Sequence, residues 1–109
     1  MKGGENMPEE QSALLIKCKM YVRKFKKDVL DEEIQDLIDS AKADLKLSGV
    51  INQDETDPLI IRAITCYCKA NFGYENKEAE RFDKSYEMLK QHLSLCEEYT
   101  KPKVVSDNG

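Results

Sequence analysis

Apolar residues recur along this chain at intervals of three and four, and that spacing predicts helices throughout, with no stretch of strand-like alternation. Leu14, Cys18, Tyr21, Val22 and Phe25 mark a first helix over about 8–24, widened by Leu15 and Ile16. Pro8 suits its opening turn, and Glu9 and Glu10 complement the positive end of the helix dipole. Ile34, Leu37, Ile38, Ala41 and Leu45 mark a second helix over about 31–48, with Asp31 as N-cap and Glu32 and Glu33 in the first turn. Ser48-Gly49 gives it a stop, because glycine accepts the left-handed conformation that ends a helix.

Asp57-Pro58 is the clearest start signal, an N-cap aspartate followed by proline at the first helical position. The third helix, about 58–72, is apolar nearly all round, with only a thin polar stripe at Arg62, Thr65 and Lys69. Such a helix needs burial on several sides, so it is expected to be the hub of a bundle. A fourth helix starts near Asn76, and Ala79, Phe82, Tyr86, Leu89, Leu93 and Cys96 form a heptad-like seam flanked by Leu95 and Tyr99. Running to about residue 99, it would span roughly 33 Å at 1.5 Å per residue. The expected fold is all-α, a small four-helix bundle-like domain over 8–100 between flexible termini at 1–7 and 101–109.

Length and composition agree with this picture. At 109 residues the chain suits one ordinary domain, and self-association is a common supplement to so small a core. With 40% hydrophobic and 35% charged residues it matches neither a disordered nor a membrane protein. No apolar run approaches the ~18 residues of a membrane span, and the polar N-terminus argues against export through a signal peptide.

Charge is distributed unevenly. Residues 17–27 carry six cations (Lys17, Lys19, Arg23, Lys24, Lys26, Lys27) and no anion, whereas residues 28–57 carry ten anions against Lys42 and Lys46. The basic run, with Tyr21 and Phe25 interleaved, is the best candidate for phosphate contact. A net charge of −4 weighs against nucleic acid, and a solvated or salt-bridged face is the commoner fate of such runs.

The residues that carry chemistry elsewhere are sparse. Cys66 and Cys68 stand about 200° apart on a helix, so their thiols point to nearly opposite faces and read as core packing rather than metal ligands. His92 and Cys96 share a face, but a zinc site would need further ligands from other helices, and the simpler reading is a surface histidine beside a core cysteine. With one histidine, no nucleophile elbow and no phosphate-binding loop, no catalytic constellation, cofactor site or metal site is expected. The four cysteines read as reduced thiols.

The order of motifs over 61–95 is more telling than any one of them. Phe72-Gly73-Tyr74, then Asn76, Glu78 to Phe82, Tyr86, Leu89 and Leu93, preceded by the helix Asp31 to Leu45, resembles the head–tail connector family of tailed bacteriophages and prophages. The resemblance covers roughly residues 12–99. It implies a non-catalytic virion part that forms a ring beneath the portal after genome packaging. Such a ring extends the DNA channel without sequence-specific binding and offers a platform to neck and tail proteins. It also implies a location in the virion neck, reached from the host cytoplasm, with no membrane.

Ring closure takes a head-to-tail contact between unlike surfaces. The uneven charge suits one, with Lys17, Arg23, Lys24 and Lys27 facing Asp31, Glu32 and Asp36 of the next copy, and Arg81 and Lys84 as further contacts. The C-terminal tail is expected to order on docking to the portal or a neighbour. The alternative is a small helical nucleic-acid-binding or regulatory domain that uses 17–27.

Overall fold

The computed structural model describes residues 12–24, 30–72 and 78–102. Four long helices and a final single turn make up the described chain: α1 (Ala13–Arg23), α2 (Asp31–Leu47), α3 (Pro58–Asn71), α4 (Ala79–Ser94) and α5 (Glu97–Thr100). The all-α expectation holds. The expected N-terminal tail at 1–7, positions 103–109 of the expected C-terminal tail at 101–109, and the features at Pro8, Glu9, Glu10, Phe25, Lys27, Gly73, Tyr74 and Asn76 lie outside the described residues.

Helices α1, α2 and α3 each begin where an amide donor left unpaired by the first turn finds a side-chain acceptor. Helix α1 starts at residue 13 rather than 8, because Ser12 is extended and its hydroxyl accepts from the Leu15 amide at 3.0 Å. For α2 the N-cap position is Leu30, not Asp31, and the Glu33 carboxylate reaches back to the Leu30 amide. Asp31 is instead engaged across helices, accepting from Lys19 at 3.1 Å and Arg23 at 2.9 Å. Gly49, at φ 98°, ends α2 as expected, in a region that side chains with a Cβ avoid. Asp57 caps α3 through the Leu59 amide at 2.8 Å, with Pro58 at the first position.

Helix α3 is the hub, packed against α1, α2 and α4. Its Ile60, Ala63, Ile64 and Cys68 are fully buried, and they meet Leu14, Cys18 and Val22 of α1, Ile34, Ile38, Ala41 and Leu45 of α2, and Tyr86 and Leu93 of α4 in one core. At roughly 1.5–3 kcal/mol for each large apolar side chain, this burial is what holds the bundle together. Cys18 and Cys68 are hydrogen-bonded to each other in this core, and that bond together with burial pushes the Cys68 thiol far above its ordinary range. These cysteines are packing residues, as the sequence suggested for Cys66 and Cys68.

The expected long fourth helix is two pieces. Helix α4 stops at Ser94, after sixteen residues and about 24 Å, and the chain turns through Leu95 and Cys96 into α5. The turn takes Leu95 and Cys96 off the seam, so both are exposed, while Tyr99 is buried on a different surface. His92 is exposed beside an exposed rather than a core cysteine.

What fixes the turn is the segment between α2 and α3. The amides of Ile51 and Asn52 donate to the Tyr99 carbonyl at 2.9 and 3.1 Å, and the Asn52 side chain donates to the carbonyls of Glu98 and Lys101 at 2.8 and 2.6 Å. The Tyr99 hydroxyl donates to Asp57 at 2.7 Å. Five hydrogen bonds thus dock α5 on the α2–α3 connection, a partner far away in sequence.

Candidate functional site

A groove of about 610 Å³ opens between α1, α3 and α4. Its floor is the polar stripe of the hub helix, Arg62, Thr65 and Lys69, with Pro58, Ile61 and Cys66 beside it. Helix α1 contributes Lys17 and Tyr21, and α4 contributes Arg81, Phe82 and Ser85. A stripe two turns long on an otherwise apolar helix therefore marks where the bundle is left open.

The groove is cationic. Lys17, Arg62, Lys69 and Arg81 line it, and the described lining holds no carboxylate. The Lys69 ammonium sits between two rings, 4.0 Å from the Tyr21 centroid and 5.0 Å from that of Phe82. Each such contact adds roughly 0.5–1 kcal/mol at a partly exposed site and fixes the position of the charge. Arg81 also pairs with Glu78 on its own helix, whereas Lys17 and Arg62 are exposed and make no ion pair among the described residues. Like charges gathered against apolar walls concentrate potential, so the groove favours anionic groups.

Burial pushes the Cys66 thiol up despite nearby Lys69 and Arg62, so it is not an activated nucleophile. Among the described residues no cluster of three or more His, Cys, Asp or Glu is placed to hold a metal ion. No helix among them is long and apolar enough to cross a membrane.

The residues singled out from the sequence are dispersed by the fold. Lys17 and Arg81 line the groove. Arg23 is drawn away to Asp31, and Lys24 ends α1 with its ammonium 5.9 Å from the Tyr21 ring. Two of the six cations of the basic run, Lys19 and Arg23, thus neutralise Asp31 inside the molecule. Glu32 and Asp36 are exposed on the outer face of α2, and Lys84 is exposed on α4. Lys27 lies outside the described residues. The sequence reading missed Arg62 and Lys69, whose only signal was their shared stripe on the hub.

A second polar cluster ties α4 to α2. Tyr86 donates to Asp44 at 2.5 Å, and Lys90 donates to the same oxygen at 2.8 Å. Burial works against ionisation of Asp44, but the hydrogen bonds from Lys90 and Tyr86 prevail and hold its carboxyl below the usual aspartate range. The Tyr86 phenol is pushed up, by burial first and then by Asp44. This cluster is a structural clamp.

Comparison with known proteins places the chain in a family. A protein-family model described as "phage connector protein" fits residues 14–100. No curated protein and no solved structure matches the chain.

Proposed function

The chain belongs to the phage connector protein family, and on that premise we propose that it is a head–tail connector that closes into a ring beneath the portal. In this reading the ring extends the channel through which DNA passes, without reading its sequence, and presents a platform to the neck and tail proteins that follow. The chain acts in the neck of the virion and is added in the host cytoplasm during assembly.

The family match over nearly all the described residues is the observation that carries this reading. The site chemistry supports it. A cationic groove and an acidic helix face are unlike surfaces on one small molecule, which is what a head-to-tail contact uses.

Deletion of the gene from its phage or prophage, followed by electron microscopy of the particles, tests the proposal. The expected result is DNA-filled heads without tails, restored by supplying the chain in trans. Normal tailed, infectious particles from the deletion strain would show that the neck is built without it.

A further inference from the structure

The groove calls for an anionic partner with some apolar surface, and the outer face of α2 has both. Glu32, Asp36, Asp39, Ala43 and Leu47 follow one another at intervals of four, three, four and four, which places them on one stripe of the helix. All five are exposed, Leu47 at 87%. The stripe is acidic at its N-terminal end and apolar at its C-terminal end. No residue of α2 lines the groove of its own molecule.

We propose that the groove between α1, α3 and α4 receives the acidic outer face of α2 from a second copy of the chain. This deepens the connector reading and rests on it. The groove has a matching polarity: Pro58 and Ile61 lie at the N-terminal end of α3, and Lys69 at the C-terminal end between Tyr21 and Phe82. The incoming α2 therefore lies antiparallel to α3, with Leu47 against Pro58 and Ile61 and its acids toward Lys69. Lys17 and Arg62, which make no ion pair among the described residues, supply the remaining countercharge.

The aromatic rings argue for this occupant over nucleic acid. Base stacking on a groove needs open ring faces, and the Lys69 ammonium already lies over both Tyr21 and Phe82. Because the two surfaces differ and lie on different helices, the contact is heterologous. It propagates from copy to copy until a ring closes.

Two charge-reversed variants of the full chain test the proposal. One carries Lys17→Glu with Arg62→Glu, so that acids stand on both surfaces and only Lys69 and Arg81 remain as cations of the described lining. The other carries Glu32→Lys with Asp36→Lys and is basic on both. All four positions are exposed, and circular dichroism with thermal melting checks that each variant folds.

Native mass spectrometry, alone and with portal rings from the same phage, then reads assembly. Like charges forced together weaken self-association by roughly tenfold or more in each variant alone. An equimolar mixture regains assembly, because every groove again meets an α2 face of opposite charge. If both variants assemble as well as the unmodified chain, the groove is not the contact, although the connector reading stands through another surface. Failure of the mixture as well as of each variant overturns the pairing. An unmodified chain that stays monomeric even with portal rings overturns the pairing and the connector reading together.

Discussion

Replacing Tyr86 by alanine is expected to lower stability by about 3–5 kcal/mol, the ordinary cost of removing a large buried aromatic side chain. Tyr86 is 1% exposed and is the bulkiest fully buried side chain among the described residues. Its ring packs edge-on against Tyr67 of α3, with centroids 5.1 Å apart and planes at 71°. Its hydroxyl meets Asp44 of α2. One residue of α4 thereby engages both neighbouring helices, and its loss leaves a cavity beside the hub. A domain of this size holds about 5–15 kcal/mol in all, so the variant stands near the edge of folding. Its midpoint should fall by on the order of 10–20 °C in a calorimetric or circular-dichroism melt.

Tyr86→Phe separates packing from hydrogen bonding. The ring stays, Asp44 retains Lys90, and the cost should be about 1 kcal/mol. A phenylalanine variant as unstable as the alanine one would mean that the clamp, not the ring, carries the effect.

Asp57→Ala has the second-largest expected effect, about 2 kcal/mol from two roles of one carboxylate. One oxygen caps α3, a contribution of about 1 kcal/mol. The other accepts from Tyr99, and losing that bond costs about 1 kcal/mol more. A double-mutant cycle with Tyr99→Phe, measured by urea unfolding, isolates the second part.

The same bond gives stability a dependence on alkaline pH. The Tyr99 phenol is pushed up to about 12, mainly by its hydrogen bond to Asp57, from an ordinary value near 10. A folded-state pKa above the unfolded one means that the folded state holds the proton more tightly. The contribution is therefore complete below pH 10 and is lost as pH rises toward 12. Tyr86 adds to the loss in the same direction. Tyr99→Phe and Asp57→Ala should each flatten this limb, and an unchanged slope would count against the bond.

These residues also show how far the sequence could be read. The start of α3 at Asp57-Pro58, the end of α2 at Gly49 and the hub role of α3 all follow from local rules, and they stand in the structure. The end of α4 does not follow from them. No glycine or proline lies between Leu93 and Tyr99, and the heptad seam runs on through Cys96. The chain turns there because Ile51, Asn52 and Asp57, some forty residues upstream, supply the hydrogen bonds that dock α5.

Asp31 teaches the same lesson at smaller scale. Its position suggested an N-cap, yet Lys19 and Arg23 of the neighbouring helix claim it. The candidate site was legible only in part. Lys17 and Arg81 stood out as charges, but their convergence with Arg62 and Lys69 needs three helices packed together, and periodicity describes one helix at a time.

In the function we propose, the chain closes into a ring on a portal. Native mass spectrometry of the chain mixed with purified portal rings from its own phage tests this most directly. The expected spectrum holds one added species, a portal carrying a fixed whole number of copies, with no ladder of partial occupancy at saturation. A portal of unchanged mass beside a strictly monomeric chain would contradict it.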